Sequence, residues 1–291
     1  MDIASLRGTY DIFPPQSRIW ESVELEARRI FNVYGCSEIR TPIIEDTRLF
    51  TRSIGEGTDI VNKEMYTFPD RKGRSITLRP EGTASVVRAY LQHSLYKDQG
   101  LCRFFYIGPM FRYERPQAGR NRQFYQLGTE FLGSTHPYYD AELISLANEI
   151  LNQLNLSEKH TLEINSLGDL ESRATYKTQL VEYFNDFKEQ LSEDSQKRLS
   201  LNPLRILDSK DEGDKKLIQQ APLLKDSLSS RSKESFDWVL EKLQALNIPF
   251  KQNPYLVRGL DYYNDCIFEF TVENFGAQNT LLAGGRYDQL I

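Results

Sequence analysis

Four arginines, Arg112, Arg115, Arg120 and Arg122, crowd residues 111–132, FRYERPQAGRNRQFYQLGTEFL. Guanidinium forks match phosphate oxygens two at a time, so a cluster of this kind suits a polyphosphate. The chain around it is acidic, with 36 Lys and Arg against 41 Asp and Glu and a net charge of −5. The stretch reads as two strands joined by a loop at 116–122 that contains Pro116 and Gly119. Side chains alternate along a strand, so Arg112 and Glu114 share one face of the outgoing strand. Phe124, Gln126, Gly128 and Glu130 share a face of the return strand, leaving Tyr125, Leu127, Thr129 and Phe131 on the other. One surface then carries a cation, an aromatic plate, an amide, a gap and a carboxylate, an odd set for a core and a suitable one for a polar ligand. The alternative is an ordinary solvated hairpin, because charge runs commonly face water.

Two further constellations invite chemistry. In LRPEGT, residues 78–83, Pro80 closes a strand, Gly82 permits close backbone approach, and Thr83 can cap a helix over 84–93. Glu81 there can receive an ammonium or imidazole, or can simply favour the helix dipole. Near the C-terminus, Arg258 sits beside Gly259 and two tyrosines in LVRGLDYY. LLAGGRYDQLI follows, where Gly284 and Gly285 let backbone approach a ligand beside Arg286, Tyr287 and Asp288. The plainer reading makes Tyr262 and Tyr287 packing aromatics and Asp261 and Asp288 capping residues.

The elements that must position these groups follow from spacing. Ile19, Val23, Ala27 and Ile30 predict a helix over 19–33, ended by Tyr34 and Gly35. SEIRTPIIE, residues 37–45, predicts a strand whose Pro42 places it at a sheet edge or a subunit boundary. A short helix follows at 49–54, broken by Gly55 and Gly57, and 65–68 and 75–78 bracket hairpin chemistry at 69–73. Residues 102–109 predict a buried strand, 139–154 an amphipathic helix and 161–166 a strand. From Asp169 to about Ile248 the composition turns to Lys, Glu, Asp, Ser and Gln with helical apolar spacing, which predicts a helical insertion. β character is expected to resume at 254, through 256–263 and then 266–272.

Composition narrows the function classes. The acidic balance, with a pI near 5.5, argues against an indiscriminate DNA coat while leaving room for a local basic surface. Cys36, Cys102 and Cys266 are far apart and odd in number, which suits buried free thiols in a reducing cytosol. His93, His136 and His160 lack metal-ligand spacing. No apolar run approaches the ~20 residues of a membrane span and no signal-like h-region opens the chain, so a cytoplasmic protein is expected.

Taken together and in order, these stretches resemble histidyl-tRNA synthetase, a class II aminoacyl-tRNA synthetase, over essentially the whole chain. RTPIIED is similar to motif 1, the dimer strand of that class, and FRYERPQAGRNRQF to motif 2. LVRGLDYY and AGGRYD are similar to the two signatures of the histidine enzyme, and LRPEGT and QLGTE to its histidine pocket. The resemblance implies an α+β fold, a six-stranded antiparallel catalytic sheet flanked by helices. It divides the chain into a catalytic domain at 1–168, a helical insertion at 169–250 near the acceptor stem, and a catalytic continuation at 251–291.

It also implies a reaction. The carboxylate of L-histidine attacks the α-phosphate of ATP, which arrives with Mg2+, and the adenylate then passes to the 3′ end of histidine tRNA. The nucleophile is already an anion, so positioning and electrostatics carry the chemistry. By the family pattern Arg112 grips the α-phosphate and the substrate carboxylate, and Arg258 contacts the α-phosphate as a fixed cation. Arg120 holds the outer phosphates, Phe124 stacks on adenine and Glu114 reads its edge. Glu81, Gly82, Thr83, Gln126 and Glu130 bind the ammonium and imidazole, with Arg112 and Arg258 beside them and Tyr262 and Tyr263 closing the pocket. A homodimer through RTPIIED is implied as well, and no metal ligand is assigned to a protein side chain. The family continues into a third motif and an anticodon-binding domain, so a chain ending at Ile291 is expected to be impaired in aminoacylation. Pyrophosphate exchange at the rate of an intact synthetase would contradict that expectation. Two rivals stand beside it. One is a non-catalytic paralogue acting as the regulatory subunit of ATP phosphoribosyltransferase, and the other is a general RNA-binding module.

Overall fold

Helical spacing begins just after Pro15, and the computed structural model accordingly has helix α1 at Gln16–Val33. It describes residues 3–55, 58–97, 100–117, 119–156, 160–272 and 279–290. Ala27, Ile30 and Phe31 bury the inner stripe of α1 against Cys36, Phe105, Leu146 and Ile150. Phe31 stacks on Phe105 at 4.5 Å between ring centres. Ile19, on the predicted stripe, is exposed, so the buried face starts a turn later. The chain divides into two compact units. The first comprises residues 1–160 with 272–279 and 290–291, the second 161–271 with 280–289.

In the first unit the expected strand over 37–45 is two strands in two sheets, β1 (Ser37–Glu38) and β2 (Ile44–Asp46). Pro42 lies in the break, where a proline cannot donate to a ladder. The carbonyls on either side of it turn to Arg79, which donates its backbone N–H to Ile43 and its Nη1 to Thr41. Asp46 then caps α2 (Thr47–Ile54) by accepting from the Arg48 N–H. β3 (Tyr66–Pro69) and β4 (Ser75–Leu78) form the predicted hairpin, with Asp70 accepting from the N–H of Lys72 and Arg74 across the turn. Helix α3 (Thr83–Gln92) follows β4 at once. β5 (Cys102–Phe111) and β6 (Gln123–Leu132) are the long antiparallel pair, flanked by β1 running parallel to β5. α4 (Tyr138–Gln153) completes the unit.

The second unit holds β7 (Thr161–Ser166), four helices, and strands β8 (Lys251–Gln252), β9 (Asn264–Thr271) and β10 (Thr280–Arg286), in the order β10-β9-β7-β8. The helices are α5 (Leu170–Asp186), α6 (Glu193–Leu201), α7 (Glu212–Ile218) and α8 (Ser230–Ala245). Each starts at a side chain suited to capping, since Asp169, Ser192, Asp211 and Ser229 all accept from a first-turn N–H. Tyr176, Leu180 and Phe184 of α5 and Val239 and Leu243 of α8 are buried, as their spacing predicts.

Two expectations need correction. The resemblance implied one six-stranded sheet, but the described strands hydrogen-bond as sheets of three, four and three. Pairing between strands far apart in sequence is not written into any local pattern. Residues 256–263 are also not β structure; the chain forms no ladder between β8 and β9. Cys36, Cys102 and Cys266 are buried. Among the described residues no helix is long and apolar enough to cross a membrane.

The helical segment has its own polar centre. Asp214, fully buried, accepts from the Ser192 N–H and from the hydroxyls of Ser192, Ser195 and Ser209 at 2.6–2.9 Å. Burial opposes its charge, but these donors outweigh burial and hold the carboxyl below its ordinary pKa. Asp214→Ala strands the buried Ser195 hydroxyl and the half-buried hydroxyls of Ser192 and Ser209, and should cost about 2–4 kcal/mol in urea unfolding. Because the folded pKa is the lower one, this stabilisation is present above the unfolded carboxyl pKa of about 4. It is lost as acid carries the pH below that value. Equal acid sensitivity of the unaltered chain and the variant would contradict the assignment.

Candidate active site

The turn at residues 80–83 sets the geometry of the first unit. Glu81 is 4% exposed and faces the start of α3. Its Oε2 accepts from the Thr83 N–H at 2.6 Å and its Oε1 from the Ala84 N–H at 2.9 Å. Thr83 was expected to cap the helix; the Glu81 carboxylate does so instead, and Gly82 occupies the cap position. The carboxylate thus favours the helix dipole through these contacts. Burial raises the Glu81 carboxyl pKa, while the two N–H donors pull it the other way. Relieved of capping, the Thr83 hydroxyl donates to Glu130 Oε1 at 2.7 Å. The Tyr106 hydroxyl approaches the same oxygen at 3.4 Å. Glu130 is itself 5% exposed, so two buried carboxylates meet through one threonine.

Parity along β6 holds. Tyr125 and Leu127 are exposed, while Gln126 and Glu130 face inward. Gly128 pairs with Tyr106 in register, and the gap it leaves is filled by that ring. A Cβ placed on Gly128, or one placed on Gly82, would overlap Tyr106 Cζ. Arg112 and Glu114 fall past the end of β5 rather than on it, so their shared strand face is corrected. Main-chain bonds still hold them: the Arg112 N–H donates to Arg122 O, the Tyr113 N–H to Glu64 O and the Glu114 N–H to Arg112 O. Arg112 Nε donates to Pro80 O at 2.9 Å and its guanidinium lies 5.2 Å from the Phe124 ring centre. Arg120 pairs with Glu114 at 3.2 Å, and Arg112 stands 4.0 Å from the same carboxylate. Arg122 turns to the Tyr113 ring at 4.1 Å, and Arg115 is exposed.

The second unit carries Arg258, which pairs with Glu269 of β9 and lies 5.6 Å from the Tyr263 ring. Tyr262 and Tyr263 contact each other at 4.7 Å, and Tyr262 meets Tyr287 edge-on at 5.7 Å. Gly284 and Gly285 do not leave open backbone. A Cβ on the first would meet the Phe268 ring at 2.8 Å, and on the second Ile267 Cγ2 at 2.7 Å. Their smallness serves β10–β9 packing. Asp288 accepts from Asn264 Nδ2 and donates its N–H to Asn264 Oδ1, so it fastens the end of β10 to the start of β9.

Sequence reasoning missed three participants. Tyr106 looks like any strand aromatic, although a glycine in the facing strand was a signal that something large stood opposite. Glu64 ends a π-helical turn beside the arginines, and burial together with Glu114 raises its carboxyl pKa. Glu269 alternates on β9 like a solvent residue. Four atoms on predicted site residues, Glu114 Oε2, Arg120 Nε, Gln126 Oε1 and Arg258 Nε, are buried with no hydrogen-bond partner among the described residues, as are atoms of Ser85, Arg88, Arg173, Asn202 and Arg286 elsewhere. Buried polar atoms are nearly always partnered, so the unmet capacity at the four site residues is what a ligand would satisfy.

A family model described as histidyl-tRNA synthetase matches residues 8–291. The histidine–tRNA ligase of Prochlorococcus marinus (strain MIT 9313) is 56% identical over 99% of this chain, which spans 66% of that protein. The chain thus spans about two thirds of the length of this curated relative. Apo histidyl-tRNA synthetase from S. aureus superposes with a TM-score of 0.78 at 38% identity, over 99% of this chain and 67% of that one. An ATP phosphoribosyltransferase regulatory subunit/histidyl-tRNA synthetase from Bacillus halodurans C gives 0.72 at 19% identity, over 100% and 77%. That likeness is one of fold.

The Tyr106 packing makes a test. Gly128→Ala should destabilise the chain by about 1–3 kcal/mol through overpacking. Tyr106→Ala removes the obstructing ring, so the two effects should be far from additive in a denaturant double-mutant cycle. Simple additivity would show that the ring is not what excludes a side chain at 128.

Proposed function

Since this chain belongs to the histidyl-tRNA synthetase family, we propose that it is a histidine–tRNA ligase, which activates L-histidine with ATP and transfers it to the 3′ end of histidine tRNA. The observation that carries the reading is the family match over residues 8–291, and the buried unpartnered atoms at Glu114, Arg120, Gln126 and Arg258 support it.

Each side chain then has a part in the reaction. Arg112 holds the α-phosphate and the histidine carboxylate. Its Nε is anchored to a neutral carbonyl, so its charge remains for anions. Phe124 stacks on adenine, Glu114 reads the adenine edge, and Arg120 takes the outer phosphates. Mg2+ comes with the nucleotide as part of that substrate. Glu81, Gly82, Thr83, Gln126 and Glu130 bind the amino acid's ammonium and imidazole. A buried carboxylate facing the imidazole N–H rejects isosteres that lack it more strongly than shape alone. In the second unit Arg258 is a fixed cation for the α-phosphate, and Tyr262 and Tyr263 are histidine-binding aromatics.

The proposal extends to organisation. Residues 169–250 act as a helical insertion between catalytic parts at 1–168 and 251–291. The protein works in the cytoplasm, where the histidine tRNA that it is proposed to charge is used. It pairs as a homodimer through residues 40–46, where Ile43 and Ile44 are 44% and 51% exposed. Monomeric behaviour in light scattering at high protein concentration would overturn that assignment. The regulatory-subunit reading has less support, because the relative that names it shares the fold at 19% identity.

Histidine-dependent exchange of pyrophosphate into ATP is the deciding measurement, followed by charging of histidine tRNA. Arg112→Ala should lower exchange by about 10²–10³, the effect of removing one preorganised charge stabiliser. Exchange driven equally by other amino acids, or no binding of ATP and histidine, would overturn the reading.

A further inference from the structure

Residues 253–263 run from β8 to β9 without entering a ladder, so their carbonyl groups must find donors elsewhere. Asn165 of β7 serves the first part, donating Nδ2 to the carbonyls of Pro254 and Leu256 at 3.3 and 3.0 Å. The second part is served by the helical segment. Arg205, in the 3-10 turn Pro203–Asp208, donates Nη1 to Arg258 O at 3.5 Å. Arg173 of α5 donates Nη2 to Asp261 O at 3.3 Å and Nη1 to Tyr263 O at 2.9 Å. Asn202 donates Nδ2 to the Asp261 carboxylate at 2.7 Å. The grip is close: a Cβ on Gly259 would lie 3.1 Å from Arg205 Nη1.

Arg173 is informative because it commits both Nη groups to main-chain oxygens. A planar fork reaching two carbonyls two residues apart fixes the backbone between them, and that backbone bears Tyr262. Lysine offers a single point charge and cannot span both. Arg258, meanwhile, has its side chain held by Glu269 and its own carbonyl by Arg205.

We propose that Arg173, Asn202 and Arg205 are positioning residues for amino-acid activation, through which the helical segment clamps the 258–263 backbone and sets where the Arg258 guanidinium and the Tyr262–Tyr263 pair stand. The inference rests on the ligase reading for the roles of Arg258 and the tyrosines. It assigns the helical segment a part in the first half-reaction.

The test compares Arg173→Ala, Arg173→Lys and Asn202→Ala with Asp214→Ala, which disturbs the helical segment without touching the clamp. The clamp variants should lower kcat for histidine-dependent pyrophosphate exchange by about 10- to 100-fold, the scale expected for small misplacement of catalytic groups. KM for histidine should rise more than KM for ATP, because Tyr262 and Tyr263, which the clamp positions, are the histidine-binding aromatics. Arg173→Lys should not rescue, and amide hydrogen exchange across 256–263 should speed up. Asp214→Ala should lower the melting temperature while keeping kcat per folded chain. Unchanged hydrogen exchange at 256–263, full rescue by lysine, or an equal kcat loss in Asp214→Ala would overturn the clamp. Absence of histidine and ATP binding by the unaltered chain would overturn the ligase reading instead, and the hydrogen-exchange comparison would then decide the clamp alone.

Discussion

A carboxylate removed from water has to be met by donors, and in the first unit that requirement organises the surroundings of residues 80–83. Glu81 takes the first N–H groups of α3, which frees the Thr83 hydroxyl for Glu130 on β6. α3 and β6 are thereby tied through polar groups where a hydrophobic contact would have left room for sliding. The carbonyl just before Glu81, that of Pro80, receives Arg112 Nε. One turn therefore orients Arg112 and both acidic residues together. Tyr106 closes the arrangement from β5, and Gly82 and Gly128 are small because that ring needs the space.

The two key arginines are held by different means. Arg112 is anchored by a neutral carbonyl and stands 4.0 Å from Glu114, so much of its charge is uncommitted. Arg258 is paired with Glu269, and burial, which alone would lower its pKa, is offset by Tyr263 and that carboxylate. An uncommitted cation suits a group that must take on an anionic substrate. A paired one keeps a fixed position and a graded positive field.

Much of this was legible in the sequence wherever one period governs one element. Ala27 and Ile30 mark the buried face of α1, and the helical apolar spacing after Asp169 marks the segment that holds α5 to α8. The inward row of β6 follows from parity alone. Failures came where a distant partner decides. The run around Pro42 has strand composition, yet its carbonyls are taken by Arg79, which belongs to another hairpin. Residues 256–263 have strand composition too, but their carbonyls are claimed by side chains from β7 and the helices. Arg112 and Glu114 continue the alternation of β5 beyond the point where its ladder ends. The proposed histidine and nucleotide positions rest on motif resemblance, while Tyr106 and Glu64 carry no local mark in the sequence.

The pairing of β7 with β9 has a kinetic side. Thr161 lies opposite Thr271, so two strands that touch along their length are separated by 110 positions. Closing so large a ring in an unstructured chain is entropically costly and slow. The intervening residues form helices from local contacts, each with its own cap, and local contacts assemble quickly. Once they have formed, the ring to be closed is a short path through folded material. Helices formed from local contacts between the two strands shorten the loop that the β7–β9 pairing has to close.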